Sequence, residues 1–248
     1  TGAVNQRLAL RFSKLGFRTF AWPAFTIRLP EDETPVVKRF SDLSDIDLVL
    51  LVSPASVAAV AHWVDHWPSH VTLATVGEGT ARVARAAWGE SVPIIYPAGD
   101  AAHSGSEALM AELRKRGIPS RVLICRGQTG REWLSEELLS EGADVQKLMC
   151  YERLPLQLTV QQEDELREAM KGPAPVTYIT SSEAIVSLLR AVHPVEGAWE
   201  WITSGAVVVI HPRSESKVLE AGFHLVRMSS PIDDEVEKNV IACAEGLG

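Results

Sequence analysis

Tyr151 is the residue whose type and place point most directly to chemistry. It closes the strand-sized block Val145–Tyr151 with a phenol able to give or accept a proton. Elsewhere the chain repeats one pattern, a β-branched run ending in small hydroxylic, glycine or arginine residues: Ser53, Thr80 within GEGTA, the run from Arg126 and Gly127 to Arg131, Ser181 with Ser182, and Ser214 within HPRS. Hydroxyls, arginines and free N–H groups at helix starts are donors, so the chemistry they suit is the holding of anionic groups. The same hydroxyls also serve as ordinary helix N-caps. Other catalytic sets are missing. There is no GxSxG elbow, no HExxH and no CxxC; GEG at 77–79 is an incomplete dinucleotide motif, and RGQTGR lacks the GK[ST] of a phosphate loop. His62, His66 and His70 read as a solvated helix face and no metal is expected; Cys125 reads as a buried small apolar group.

Positioning such residues takes a parallel sheet, because ligands bind beyond the carboxyl ends of its strands. Strand-sized apolar blocks alternate with helical patterns: Leu48–Val52, Val71–Val76, Val92–Tyr96, Arg121–Cys125, Val145–Tyr151, Val176–Thr180, Ala206–Ile210 and His224–Met228. Helix starts are marked by Ser53 before Pro54, by Thr129 with Glu132 and by Thr180 with Glu183, the last two spaced as capping boxes. Gly142 closes the helix that follows Thr129.

The blocks occur twice. LVLLVSPASVAAV at 48–60 resembles VTYITSSEAIVSLL at 176–189, and TLATVGEGTARVARAAWG at 72–89 resembles AVVVIHPRSESKVLEAG at 206–222. LGFRTFAWPAFTIRLP and EGADVQKLMCYERLP form a third pair, which sets Phe25 against Tyr151. The order of these pieces predicts an α/β fold in which residues 1–22 and 172–248 form a lobe from both chain ends. Residues 38–150 form an inserted lobe, and 23–37 and 151–171 supply connecting strands and linkers. The site residues would then line a cleft between the lobes.

With 248 residues the chain is long enough for two cores. Its net charge of −8 argues against a nucleic-acid partner held by bulk electrostatics. Three cysteines without paired spacing fit a reducing, cytoplasmic compartment, and no apolar run is long enough to cross a bilayer.

Several segments resemble the uroporphyrinogen-III synthase family of tetrapyrrole biosynthesis: VSPASV at 52–57, TVGEGTA at 75–81, LICRGQTGRE at 123–132, GADVQKLMCYER at 142–153, YITSSEA at 178–184 and VVVIHPRSESKVLEAGF at 207–223. The resemblance implies two flavodoxin-like or Rossmann-like parallel-sheet lobes joined by a two-stranded linker. It implies a cofactor-free monomer that closes a linear tetrapyrrole, hydroxymethylbilane, with inversion of ring D. Tyr151 would be the proton donor, and Ser53, Thr80, Arg126, Gly127, Arg131, Ser181, Ser182 and Ser214 would bind substrate. Two departures accompany it. The family's opening strand and Thr-Arg-Pro turn are not found ahead of Thr1, so about ten further upstream residues are expected. His211-Pro212-Arg213 also stands where the first copy has Gly77-Glu78-Gly79. A two-lobed small-molecule-binding protein and a catalytically silent relative remain open alternatives.

Overall fold

The computed structural model describes residues 2–97, 105–130 and 132–246. In chain order it runs α1 (Gly2–Lys14), β1 (Phe25–Arg28), α2 (Thr34–Ser41), β2 (Leu48–Leu51), α3 (Pro54–Val60), β3 (Thr72–Thr75), α4 (Glu78–Trp88) and β4 (Ile94–Ile95). It continues through α5 (Ser106–Arg116), β5 (Arg121–Gly127), α6 (Trp133–Ser140), β6 (Asp144–Pro155), α7 (Val160–Ala169), β7 (Val176–Ile179) and α8 (Ser182–Val192). Last come α9 (Ala198–Ser204), β8 (Ala206–Val209), α10 (Pro212–Glu220), β9 (Leu225–Met228) and α11 (Asp233–Gly246). The chain divides into two compact units, Ile27–Arg153 and the combination of Thr1–Thr26 with Leu154–Gly248.

In the first unit the strand order is β1-β6-β5-β2-β3-β4, and the pairings of β2 with β3 and β5, of β3 with β4 and of β5 with β6 are all parallel. Parallel strands are joined through crossover helices that cover both faces, so a central strand is apolar on both sides. β2 shows this residue by residue. Val49 and Leu51 pack with Val57 and Val60 of α3 and Ala84 of α4, whereas Leu48 and Leu50 pack with Leu109 and Leu113 of α5 and Leu138 of α6. All four β2 side chains are fully buried. At about 1.5–3 kcal/mol for each large apolar side chain, this one strand outweighs any surface ion pair of the unit.

The other unit holds a three-stranded parallel sheet, β7-β8-β9. Val207 and Val209 pack with Ile185 and Val192 of α8, Ile202 of α9, and Val218 of α10. On α1 and α11, Leu8, Phe12 and Val236 form a separate apolar cluster, with Tyr178 of β7 against it. Arg7 meets Asp233 at 2.6 Å, and Arg11 meets Asp234 at 2.6 Å and Glu237 at 2.5 Å. Exposed pairs of this kind contribute at most about 1 kcal/mol each, so the apolar cluster does more to hold the two chain ends together.

The expected strands form, with β4 reduced to two residues. Two helix starts differ from expectation. Ser181, not Thr180, caps α8 by accepting from the Ala184 N–H, because among the three adjacent hydroxylic residues it is the one immediately before the helix, with extended backbone. At α6 the cap position falls on Glu132, not Thr129. Gly142 lies just past that helix at φ +90°, where a side chain would be strained.

Buried Ser187 ties down both segments that enter the end-built unit. Its hydroxyl donates to the Ala24 carbonyl at 2.5 Å and accepts from the Leu156 N–H at 3.0 Å, and Leu156 N–H also reaches Ala24 O at 2.9 Å. Ser187→Ala leaves Ala24 O and Leu156 N–H only each other and should lower stability by about 1–3 kcal/mol. The check is the urea midpoint, with Ser187→Thr expected to lose less.

Candidate functional site

The order β6-β5-β2-β3-β4 contains a change of direction. From β2 the chain moves outward to β3 and β4, then returns to the opposite side of β2 to lay down β5 and β6. The following helices leave to opposite faces, α3 to one and α6 to the other. A crevice opens beyond the carboxyl ends of β2 and β5 at such a switch point, and it is the usual ligand position in open parallel sheets. Ser53 follows β2 and Gly127 ends β5, so two of the expected site residues stand at this crevice.

Tyr151 joins them through an irregularity in β6. From Arg121 to Arg126 the β5–β6 pairing advances one for one; at Gly127 it slips, and Gly127 faces Tyr151. The phenol is 6% exposed. A Cβ on Gly127 would lie 2.9 Å from Tyr151 Cε2 and 3.1 Å from Cζ, so the ring rests on a surface that only glycine supplies without displacement. Tyr151 Oη lies 3.1 Å from Ser53 Oγ. Gln128 fixes the strand just past the ring: its amide accepts from Arg153 N–H at 2.8 Å and donates to Arg153 O at 3.1 Å, a side-chain imitation of a sheet ladder.

Ser53 is held from several directions. It is the N-cap of α3, its Oγ accepting from Ser56 N–H at 3.1 Å, while Ser56 Oγ accepts from Ser53 N–H at 3.0 Å and donates to Ser53 O at 2.7 Å. Pro54 presets the backbone of the first turn. Ser56 is absent from the expected site, and Gln128 falls within its run 126–131 without a role of its own. The S-x-x-S spacing of a reciprocal cap was the available signal for Ser56; nothing local marks Gln128, whose partner is 25 residues away.

The remaining candidates lie on other elements of the two units. Arg126 is largely enclosed, its side chain 12% exposed, with Nη1 on Glu132 at 2.7 Å and Nη2 3.0 Å from where a Cβ on Gly130 would stand. It braces its own loop. Lys147 reaches the same carboxylate at 2.9 Å, and these hydrogen bonds, Lys147 first and Arg126 second, hold the Glu132 carboxyl down to about 2. Arg131 lies outside the described residues. Thr80 sits in the first turn of α4 and is 5% exposed. In the end-built unit Ser181 caps α8, Ser182 Oγ donates to Arg213 O at 3.3 Å, and Ser214 is 1% exposed. His211 caps α10 through Nδ1, which accepts from Arg213 N–H at 3.1 Å. Burial pushes the Cys125 thiol well up, with neighbouring Cys150 adding to the effect, as suits a thiol used for packing. No trio of His, Cys, Asp or Glu among the described residues could hold a metal ion. No described helix is long and apolar enough to cross a membrane.

Two α/β units with parallel sheets, one unit made from both chain ends, with hydroxylic helix starts and a phenol seated at a switch point, define a two-unit α/β fold. The family model described as uroporphyrinogen-III synthase HemD matches residues 6–235, and the chain belongs to that family of tetrapyrrole-biosynthesis enzymes. It is 24% identical over 239 residues to uroporphyrinogen-III synthase of Salmonella typhimurium, covering 94% of this chain and 93% of the relative. The Escherichia coli protein of that name is also 24% identical, over 240 residues and with the same coverage. In fold it is similar to the crystal structure of uroporphyrinogen-III synthetase from Helicobacter pylori, at TM-score 0.62 and 13% identity over 91% of this chain and 92% of that one. A Thermus thermophilus uroporphyrinogen III synthase structure matches at TM-score 0.58 and 14% identity over 98% and 95%.

Gly127→Ala forces the Tyr151 ring off its seat and should destabilise the unit by about 1–3 kcal/mol, read from the urea midpoint, as overpacking of a filled contact does. Glu132 supplies a pH signature. Its carboxyl titrates lower when folded than when unfolded, so its contribution is complete above the unfolded value near 4.5 and is lost as pH falls toward about 2. Glu132→Gln should therefore narrow the gap in urea midpoint between pH 5 and pH 2.5 relative to the parent. An unchanged gap would remove the Arg126–Glu132–Lys147 cluster from the account.

Proposed function

We propose that the switch-point site carries out the ring closure of hydroxymethylbilane to uroporphyrinogen III, with Tyr151 as the proton donor. The observation that carries this reading is the Tyr151 phenol, seated on Gly127 with its oxygen 3.1 Å from Ser53 Oγ, in a chain of this family. The phenol gives its proton to the terminal hydroxyl of the bilane. The carbon–oxygen bond then breaks with electron density supplied by the adjoining pyrrole nitrogen, and water leaves. The resulting azafulvenium is attacked by the substituted carbon of ring D to give a spiro intermediate. The bond from that carbon to its original methylene bridge then breaks, and the freed cationic bridge is captured by the other α-carbon of ring D, which inverts the ring. The substrate supplies most of the electronic drive. Because the bilane closes by itself to the unrearranged isomer, the protein's main task is to hold one conformation while water departs.

The substrate is a polycarboxylate and the chain carries a net charge of −8, so local donors must do the binding. We assign this to Arg131, to the hydroxyls of Thr80, Ser181, Ser182 and Ser214, and to the N–H groups that open α4, α8 and α10. The hydroxyls and N–H groups among them, being uncharged, bind carboxylates while letting them shift as the ring inverts. The protein would act as a cytoplasmic monomer.

Tyr151→Phe removes one oxygen and little packing. It should slow turnover by about 10- to 10⁴-fold, or about 1.4–5.5 kcal/mol of barrier, and shift product toward the unrearranged isomer as unprotected bilane closes in solution. The assay is freshly generated hydroxymethylbilane at saturating concentration followed by isomer analysis. Full turnover with an unchanged isomer ratio would return Tyr151 to a packing role. No rearranged product from the parent protein would mark a silent relative.

A further inference from the structure

We propose that Ser53 is a positioning residue that acts through Tyr151: it donates its hydroxyl hydrogen to the phenol oxygen, and so turns the phenolic hydrogen away from the protein. The inference rests on Tyr151 being the proton donor and extends it to a second residue.

The hydrogen count at Ser53 carries the argument. A serine hydroxyl has one hydrogen and two lone pairs. One lone pair of Ser53 Oγ is taken by the Ser56 N–H that it caps. The Ser56 hydroxyl hydrogen is spent on Ser53 O, so Ser56 Oγ has no hydrogen to offer Ser53 Oγ. Among the described residues, the acceptor within reach of the Ser53 hydroxyl hydrogen is Tyr151 Oη at 3.1 Å. If the phenol donated instead, Ser53 Oγ would accept twice and its own hydrogen would have no partner among the described residues. With Ser53 as donor, every hydrogen in the set Ser53, Ser56 and Tyr151 is used but one. That one is the phenolic hydrogen, left for a ligand at the switch point.

This arrangement excludes the role that residue type alone suggested for Ser53. A carboxylate needs a donor, and Ser53 Oγ, with its hydrogen committed, offers only a lone pair. It also closes the proton balance of the reaction. The Tyr151 proton leaves on the departing water, and the phenolate keeps the Ser53 hydrogen bond. The ring carbon that forms the last carbon–carbon bond then loses a proton, which returns to the phenolate. One water is lost overall and Tyr151 is regenerated. The donor is rigid because the reciprocal cap and Pro54 fix its backbone.

The experiment is a double-mutant cycle on the full chain with hydroxymethylbilane, reading kcat, KM and isomer ratio. Ser53→Ala should lower kcat about tenfold with KM within about twofold, and Ser53→Thr, which keeps the hydroxyl and the cap, should recover most of the loss. Ser53→Gly, a better cap than alanine, repeats the deletion if the alanine variant folds poorly. In a Tyr151→Phe background, where the phenol oxygen is gone, Ser53→Ala should change kcat less than about twofold. The proposal is overturned if Ser53→Ala raises KM and spares kcat, if threonine fails to restore turnover, or if the loss is equally large in both backgrounds. Those results leave Tyr151 as the donor. A Tyr151→Phe variant with full turnover and isomer ratio removes both assignments together.

Discussion

No side chain fits at position 127 while the Tyr151 ring stays where it is, and the site depends on that exclusion. A strand pair in strict register presents its side chains alternately to the two faces, and β5 and β6 keep that register from Arg121 to Arg126. The slip at Gly127 moves Tyr151 one place relative to β5 and sets its ring across bare backbone. Irregularities of this kind commonly re-aim a side chain beside a functional site. Ser53 then meets the phenol oxygen because β2 lies next to β5, and the Gln128–Arg153 clamp keeps β6 alongside after the ladder has been interrupted.

This dependence explains what the amino-acid order revealed. Central parallel strands are buried on both faces, so Leu48–Leu51 and Ala206–Val209 stand out as unbroken apolar runs. Ser53 before Pro54 marks a helix start by local chemistry alone. Local rules failed where neighbouring residues offered the same group or where a distant partner intervened. Thr180, Ser181 and Ser182 are all hydroxylic, and the place where the helix begins selects the middle one. Thr129 and Glu132 have the spacing of a capping box, but Arg126 and Lys147 draw the Glu132 carboxylate to themselves. Tyr151 was legible as a chemical group, whereas its contact with Ser53 spans 98 residues and required the strand order.

Arginine is the usual ligand for carboxylates, yet the described arginines are mostly occupied within the protein. Arg28 pairs with Glu152, Arg39 with Asp45, Arg121 with Asp47, Arg126 with Glu132 and Arg167 with Glu163. A site built on such residues would have to break an internal pair for each carboxylate it took up. Helix N–H groups and hydroxyls avoid that cost. They also suit a substrate that must be gripped and allowed to reorganise, since several weak donors can exchange partners where one bidentate arginine would fix a geometry.

The two copies of the repeat divide these tasks. Ser53 and Ser181 occupy equivalent places and each caps the helix after an equivalent strand, so the cap belongs to the fold both copies share. Beyond the cap the copies diverge. Position 187 carries a serine whose hydroxyl holds Ala24 and Leu156, while the matching position in the first copy is Ala59, buried among apolar neighbours. Conversely, Tyr151 stands where the other copy has Phe25, and only the phenol can meet a serine hydroxyl as Tyr151 meets Ser53. One serine cap has thus been joined to a group able to move a proton, and the other copy uses a hydroxyl further along its helix to secure its connecting segments. Equivalent backbones need only a single oxygen at different places to diverge, a phenol meeting one serine cap and an anchoring hydroxyl further along the helix that follows the other.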